Sequence, residues 1–566
     1  MSYRNHVGRL RASLLAAALA ANPIAAQHEG HGGQSRSKDA SVPLYQNLGS
    51  LHHDIGSRVP AAQSYFNQGL RLTYALNHAE AVASFQRAAE LDSACAMCHW
   101  GIALASGPNI NAGIDSAGAA TATRAINTAL ELATSASDTQ QAFIRALAQR
   151  YGADAITKRK QLDTAYADAM GDVAARYPHD PEARVLYAEA LMVLSPWNYW
   201  TGKEPRPATD EILLNLTSVV ERFPAHPGAC HYFIHAVEAA FPERAVECAE
   251  RLAQLMPGAG HLVHMPGHIY IRVGRYMDAI RANEHAVHSD ESWIRDRQPG
   301  LSGYTGGYYP HNYDFLAFAA SMAGRSTQAI EAADRVGSLV PKELLGQPGT
   351  LFAQNYLTRA LQIRVRFERW AEILRHAAPS VELPYARAMW HYARGRAYVG
   401  KGKLQAAMNE LAQLRATAID SRLNDAHVEF NKASALLRIA IGVLEARIAQ
   451  LRGDDDRAVL LLRSAAAQED SLTYGEPPEW SIPVRHDLGA VLLAQGRARD
   501  AERVYRDDLT RFPDNGWSLD GLARSLDLQG LNEGARMIRA RLAKAWQHAD
   551  TQPSSPSQRY PVKSGE

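Results

Sequence analysis

The stretch "GRARDAERVYRDDLTRFPDN" (Gly496–Asn515) decides how the rest of the chain is read. A glycine opens it, small and large apolar residues follow at helical spacing, and a Phe-Pro-Asp-Asn linker closes it. The same theme returns as "GRYMDAIRANEHAV" from Gly274, "GRSTQAIEAADRV" from Gly324, "GKLQAAMNELAQL" from Gly402 and "GDDDRAVLLLRSAAA" from Gly453. Each opening glycine suits the end of one helix and the start of the next. Upstream, "YFNQGLRLTYALNHAEAVASFQRAAELDSA" (Tyr65–Ala94) carries helical spacing on both halves. No stretch sustains the alternation that strands need. The expectation is an all-α chain of helix-turn-helix units over residues 60–545.

These units resemble the tetratricopeptide repeat (TPR) family. "AEAVASFQRAAELD" (Ala79–Asp92) and Gly496–Asn515 match its second-helix and linker pattern, and the period is near about 34 residues. The resemblance implies an α-solenoid: a right-handed superhelix whose first helices line a concave groove. It also implies protein or peptide binding, although one fold hosts many roles. "CAMCHWGIALASGPNIN", "GHLVHMPGHIYIRVGRY", "YYPHN" and "YGEPPEW" look like segments of exported bacterial repeat proteins; that likeness implies no catalytic residues.

At 566 residues the chain exceeds one compact core. Lys+Arg number 60 and Asp+Glu 59, which removes the charge bias that nucleic acid or an anionic membrane would select. Arg4, Arg9 and Arg11 precede "SLLAAALAANPIAA", the layout of a secretory signal over residues 1–26. That run is too short to anchor the mature chain across a bilayer. A polar lead-in over 27–59, with His28 and His31, and a Pro/Ser-rich tail over 546–566 read as flexible. The expected location is periplasmic or secreted, where the four cysteines can pair as Cys95–Cys98 and Cys230–Cys248.

The candidate site starts from "HYFIH" (His231, His235) and "HLVHMPGH" (His261, His264, His268). His231 and His264 stand 33 positions apart, as do His235 and His268, so both i, i+4 pairs occupy equivalent places in adjacent repeats. Beyond the insertion "SDESWIRDRQPGLSGYTGGYYP" the offset becomes 50, which maps His261 onto His311 and His264 onto Asp314. A further offset of 222 maps His264 onto His486. Imidazoles on neighbouring helices can share one zinc, copper or iron ion, with Asp314 or Glu238 completing the shell. The candidate ligands are His231, His235, His264, His268, His311 and Asp314. Pro266, between His264 and His268, is expected to kink the helix and disturb that register.

Cys95-Ala-Met-Cys98-His99 fits covalent attachment of haem c, and equally a disulfide or a redox-active pair at a helix start. Loops rich in amides and aromatics supply candidate ligand contacts at Asn109, Asn111, Trp197, Asn312, Glu476 and Trp480. No HExxH, GxSxG or phosphate-cradling glycine loop is present. Three readings follow: a groove that binds a transition metal and a small ligand or substrate, a metal-free scaffold for a protein or peptide, and a redox or haem protein.

Overall fold

The computed structural model describes residues 42–552 except Ala153 and Pro348. The expected signal segment 1–26, His28, His31 and tail residues 553–566 lie outside the described residues. The chain is an α-solenoid of TPR-like helix pairs running from helix Pro60–Tyr74 to helix Asn532–Ala545. Among the described residues, strand is confined to Trp200–Thr201 paired antiparallel with Glu204–Pro205 and one isolated bridge, His427 with Lys432. No described helix is long and apolar enough to cross a membrane.

The repeated glycines do what their positions require. Gly274, Gly324, Gly402, Gly453 and Gly496 all adopt φ between +69° and +83°, the left-handed cap conformation, and a new helix starts two residues later each time. Gly274 has a second reason: a Cβ there would lie 2.6 Å from the Pro513 carbonyl oxygen. That contact belongs to a return of the C-terminal repeats onto the middle of the chain. Trp517 Nε1 donates to Ser321 O at 2.9 Å, Trp546 Nε1 donates to Met322 O at 2.9 Å, and Asp550 Oδ1 accepts from Ser326 N at 2.5 Å.

Two segments read as flexible are in fact anchored over part of their length. Residues 42–59 form an irregular strap with Val42, Leu48 and Ile55 buried. Its polar backbone is satisfied by the first repeat: Gln68 Nε2 donates to Pro43 O at 2.9 Å, and Arg71 Nε donates to Leu51 O at 2.8 Å. Residues 546–552 dock through Trp546 and Asp550. Polar composition concealed both, because the few apolar and carboxylate anchors carry the docking.

The hydrophobic core falls into a large cluster reaching from Leu48 to Ile363 and a second from Tyr385 to Ile538, with a smaller one around Ile373 and Ala393. Cys230 and Cys248 are joined with Cα atoms 5.2 Å apart, tying helix Pro227–Val237 to helix Val246–Leu255. Cys95 and Cys98 are joined at the start of helix Ala96–Ala105, Cα atoms 5.3 Å apart.

Candidate metal centre

Three successive helical segments carry the histidines. Helix Pro227–Val237 starts under a cap made by His226, whose Nδ1 accepts the Ala229 N–H at 3.1 Å, and has proline at its first position. Its His231 and His235 are four residues apart and fully buried. Segments Gly260–His264 and Pro266–Arg272 meet at Met265, which keeps helical φ −51° and ψ −35°. Pro266 therefore tightens the turn, with His268 N donating to Met265 O at 3.2 Å, and does not break it. His261, His264 and His268 remain on one path. His311 comes from helix Tyr309–Met322.

The rings assemble in an unbroken series. His231 lies 5.0 Å from His261 and 4.9 Å from His235, centroid to centroid. His235 lies 5.3 Å from His268, and His264 lies 4.8 Å from His268 and 5.0 Å from His311. Phe315 closes one wall, 4.5 Å from both His264 and His268. The repeat arithmetic pairs His231 with His264, but the ring standing against His231 in the next segment is that of His261.

Hydrogen bonds fix which nitrogen of each ring faces the cluster. His231 Nδ1 donates to Tyr74 O at 2.7 Å, a backbone carbonyl that can only accept. Glu238 takes the Nδ1 protons of two rings, His235 at 2.9 Å on Oε1 and His268 at 2.7 Å on Oε2. Asn283 donates through Nδ2 to Ala279 O at 2.8 Å, so its Oδ1 accepts from His264 Nδ1 at 2.7 Å. Gly267 permits this approach, since a Cβ there would lie 2.8 Å from Asn283 Nδ2. With four Nδ1 atoms protonated, the four Nε2 atoms of the same rings carry the lone pairs.

Those lone pairs are costly unless something positive joins them. His264 Nε2 and His268 Nε2 face each other at 2.9 Å. The Nε2 atoms of His231 and His235, and both ring nitrogens of His261, are buried with no hydrogen-bond partner. An unmade buried hydrogen bond costs about 1–3 kcal/mol. Burial pushes His231, His261 and His264 well below the usual imidazole range, each helped by a neighbouring histidine. Burial also takes His311 down to about 3. Neutral imidazole with one proton held on a carbonyl or carboxylate is the form that ligates metals. Burial would raise Glu238, but His268 and His235 hold its carboxyl at about 2.

Three groups bring their ligand atoms within 4.8 Å of one another: His231 with His235 and His261; His264 with His268 and His311; and His235 with Glu238 and His268. Beside them opens a cavity of about 90 Å³, enough for several waters or a small organic group. His235, His261, His268 and His311 line it together with Asn111, Trp197, Tyr308, Glu429, Phe430 and Glu476. Trp197 Nε1 donates to Asn111 Oδ1 at 3.0 Å, and Asn111 Nδ2 donates to Tyr308 OH at 3.1 Å, lacing two loops to the helical turn Tyr304–Tyr308 at the cavity lining. Glu476 reaches in from the "YGEPPEW" loop, 3.5 Å from His268 Nδ1 and 3.4 Å from Arg272 Nε. Burial and then the Glu238 charge push Glu476 well up, and burial with Glu479 raises Glu429 to about 8.

The other sequence-selected residues lie elsewhere. Asp314 turns from the histidines to Arg359, which donates through Nη2 to its Oδ2 at 2.8 Å; a buried guanidinium needs that carboxylate more than a neutral imidazole does. His486 sits between Arg366 at 2.6 Å and Asp508 at 2.9 Å, outside the cluster. Asn109 accepts the N–H groups of Asn111 and Ala112 within its own loop. Asn312 donates to Asp290 Oδ2 at 2.7 Å, and Trp480 packs 5.4 Å from Tyr392 in the C-terminal core. Cys95 and Cys98 are buried with their sulfurs bonded to each other, so thioether links to haem would have to replace that bond; His99 is half-buried beside them. His261 is the ligand-type residue left out of the candidate set. Its offset of 50 to His311 was the signal that could have placed it.

Fold and site together define a TPR-like α-solenoid with a histidine-lined cavity. No family model matches the chain, and no curated protein matches it. Solved structures similar to it include a human IFIT1 dimer with m7Gppp-AAAA, at 11% identity and TM-score 0.31, covering 79% of this chain and 90% of that one. Yeast Tom70 is similar at 12% identity and TM-score 0.29, covering 86% and 92%, and Naa15/Naa10 bound to HypK-THB at 13% and 0.22, covering 86% and 71%. Likeness at this level carries over neither site nor function.

Proposed function

We propose that the chain is an exported TPR-like protein whose histidine cluster is a transition-metal centre, with the adjoining cavity admitting a small ligand. The observation that carries this reading is the set of Nδ1 hydrogen bonds to Tyr74 O, Glu238 and Asn283, which turns four Nε2 lone pairs inward. Such outer partners orient imidazoles for metals. An all-imidazole donor set suits zinc, copper, iron or nickel rather than magnesium or calcium. Export is supported by the basic-then-apolar leader and by two cysteine pairs.

The test is elemental analysis of the natively exported, untagged chain before and after incubation with zinc, copper or iron salts. The reading expects stoichiometric metal that falls sharply in His264→Ala. No metal after incubation, or an unchanged content in that variant, would overturn it and leave the groove as a metal-free binding surface for a peptide or small molecule.

A further inference from the structure

We infer that the cluster is a paired centre holding two ions, the first on His231, His235 and His261 and the second on His264, His268 and His311. This inference rests on the metal-centre reading and adds number and arrangement to it. Each group contains an i, i+4 pair from one repeat and a third histidine from the segment that follows. The pairs are related by the 33-residue repeat offset, and the third members His261 and His311 by the offset of 50 that includes the insertion. One constellation is therefore present twice, one repeat apart. Repetition of a structural unit accounts for one histidine pair as packing, but not for a third ring added to each pair with matching ligand reach.

The rival arrangement is a single ion on His235, Glu238 and His268. It requires Glu238 to serve as a ligand, yet its two oxygens already accept from His235 Nδ1 and His268 Nδ1. Forming that site would break both bonds, either by moving the Nδ1 protons to Nε2 or by turning both rings. In the paired arrangement the same carboxylate holds one ring of each triad, so it supplies negative charge between two cations and mechanically links the sites. The spacing also fits: two nitrogens on one tetrahedral ion lie about 3.4 Å apart, given bonds of about 2.0–2.1 Å. The 2.9 Å between His264 Nε2 and His268 Nε2 needs only a small opening.

Three protein ligands leave each ion an open position. His235 and His261 of the first triad and His268 and His311 of the second all border the one cavity. Both open positions therefore face the same space, and a small oxygen-donor anion bound there would touch both ions. It would also offset charge that the single ionised Glu238 cannot balance.

The test uses the full mature chain with disulfides intact, stripped of metal and dialysed against zinc in the presence of a weak competing chelator. The paired centre predicts two zinc ions per chain, falling to one in His261→Ala and to one in His311→Ala, with circular dichroism unchanged. One ion in the unmodified chain would overturn the pairing while leaving the metal-centre reading intact, and none would end both. Loss of both ions from either single variant would overturn the division into triads. Copper(II) loading gives a readout independent of any variant. The second equivalent should broaden or quench the paramagnetic resonance of the first, and two magnetically isolated ions would contradict adjacency.

Discussion

Among the described residues, buried histidines inside and outside the cluster use their ring nitrogens differently, and the contrast bears on the proposed metal centre. His226, which caps a helix, uses both ring nitrogens: Nδ1 accepts from Ala229 N, and Nε2 meets Glu182 Oε1 at 3.1 Å. In the C-terminal repeats His486 lies between Arg366 and Asp508. Four of the cluster histidines are tied to an acceptor on one side only, and His261 on neither. His231, His235, His264 and His268 each spend Nδ1 on an acceptor and turn Nε2 toward another imidazole or toward nothing. The C-terminal repeats likewise neutralise their buried charges, as in Arg396 with Asp487 at 2.9 Å. Burial alone therefore does not mark a histidine as functional. Nor does one unmatched nitrogen, since His78 Nε2 is also buried without a partner outside the cluster. What sets the cluster apart is that several such rings bring their ligand atoms together.

Several measurements would break or sharpen this contrast. The largest effect is expected from His268→Ala, which removes a ligand and should weaken metal binding by more than about 100-fold, beyond the range typical of outer-partner losses. Competition titration against a chelator of known affinity measures it, and a wild-type affinity would erase the distinction. Glu238→Gln keeps the shape but loses the charge and one acceptor, so about 10–100-fold weaker binding is expected by the same titration.

His226→Ala lies outside the cluster. It strips Glu182 of a buried partner and should cost about 1–3 kcal/mol in urea unfolding while metal content stays at the wild-type value. Metal loss in that variant would show that the two groups are not separable.

The smallest effect concerns pH. Burial raises Glu469 from 4.5 to about 8, so its neutral form is favoured in the folded state. That contribution is complete below the unfolded value and is lost as pH rises through about 8. Metal-free protein should therefore unfold at lower urea at pH 9 than at pH 6, and Glu469→Gln should flatten this by on the order of 1 kcal/mol. An identical slope in the variant would remove Glu469 from the account.

Much of the fold was legible because its signals are local. A glycine that must take positive φ, followed two residues later by a helical pattern, marks a hairpin at Gly274, Gly324, Gly402, Gly453 and Gly496 without reference to the rest of the chain. The histidine pairs were legible for a related reason, since repeat offset converts sequence position into spatial equivalence. The partners of those histidines were not. Tyr74 contributes a backbone carbonyl, which no side-chain pattern records, and Asn283 reaches His264 only because Gly267 leaves room. The return of the C-terminal repeats was equally hidden. It brings Glu476 to His268 across more than two hundred residues, through contacts such as Gly274 with Pro513. Asp314 pairs with Arg359 instead of facing the histidines, because the offset locates a residue but does not reveal a competitor for it. The insertion, which begins within helix Tyr276–Arg297 and in sequence only interrupts the repeat, supplies Tyr304, whose hydroxyl accepts from His261 N at 3.1 Å, and Tyr308 at the cavity.

The most direct test of the central claim is anomalous diffraction at the zinc edge from crystals of the zinc-loaded mature chain. The account predicts anomalous density among the Nε2 atoms of His231, His235, His264 and His268, with His261 and His311 completing the shells. Density confined to surface residues, or none at all in crystals grown with excess zinc, would contradict it.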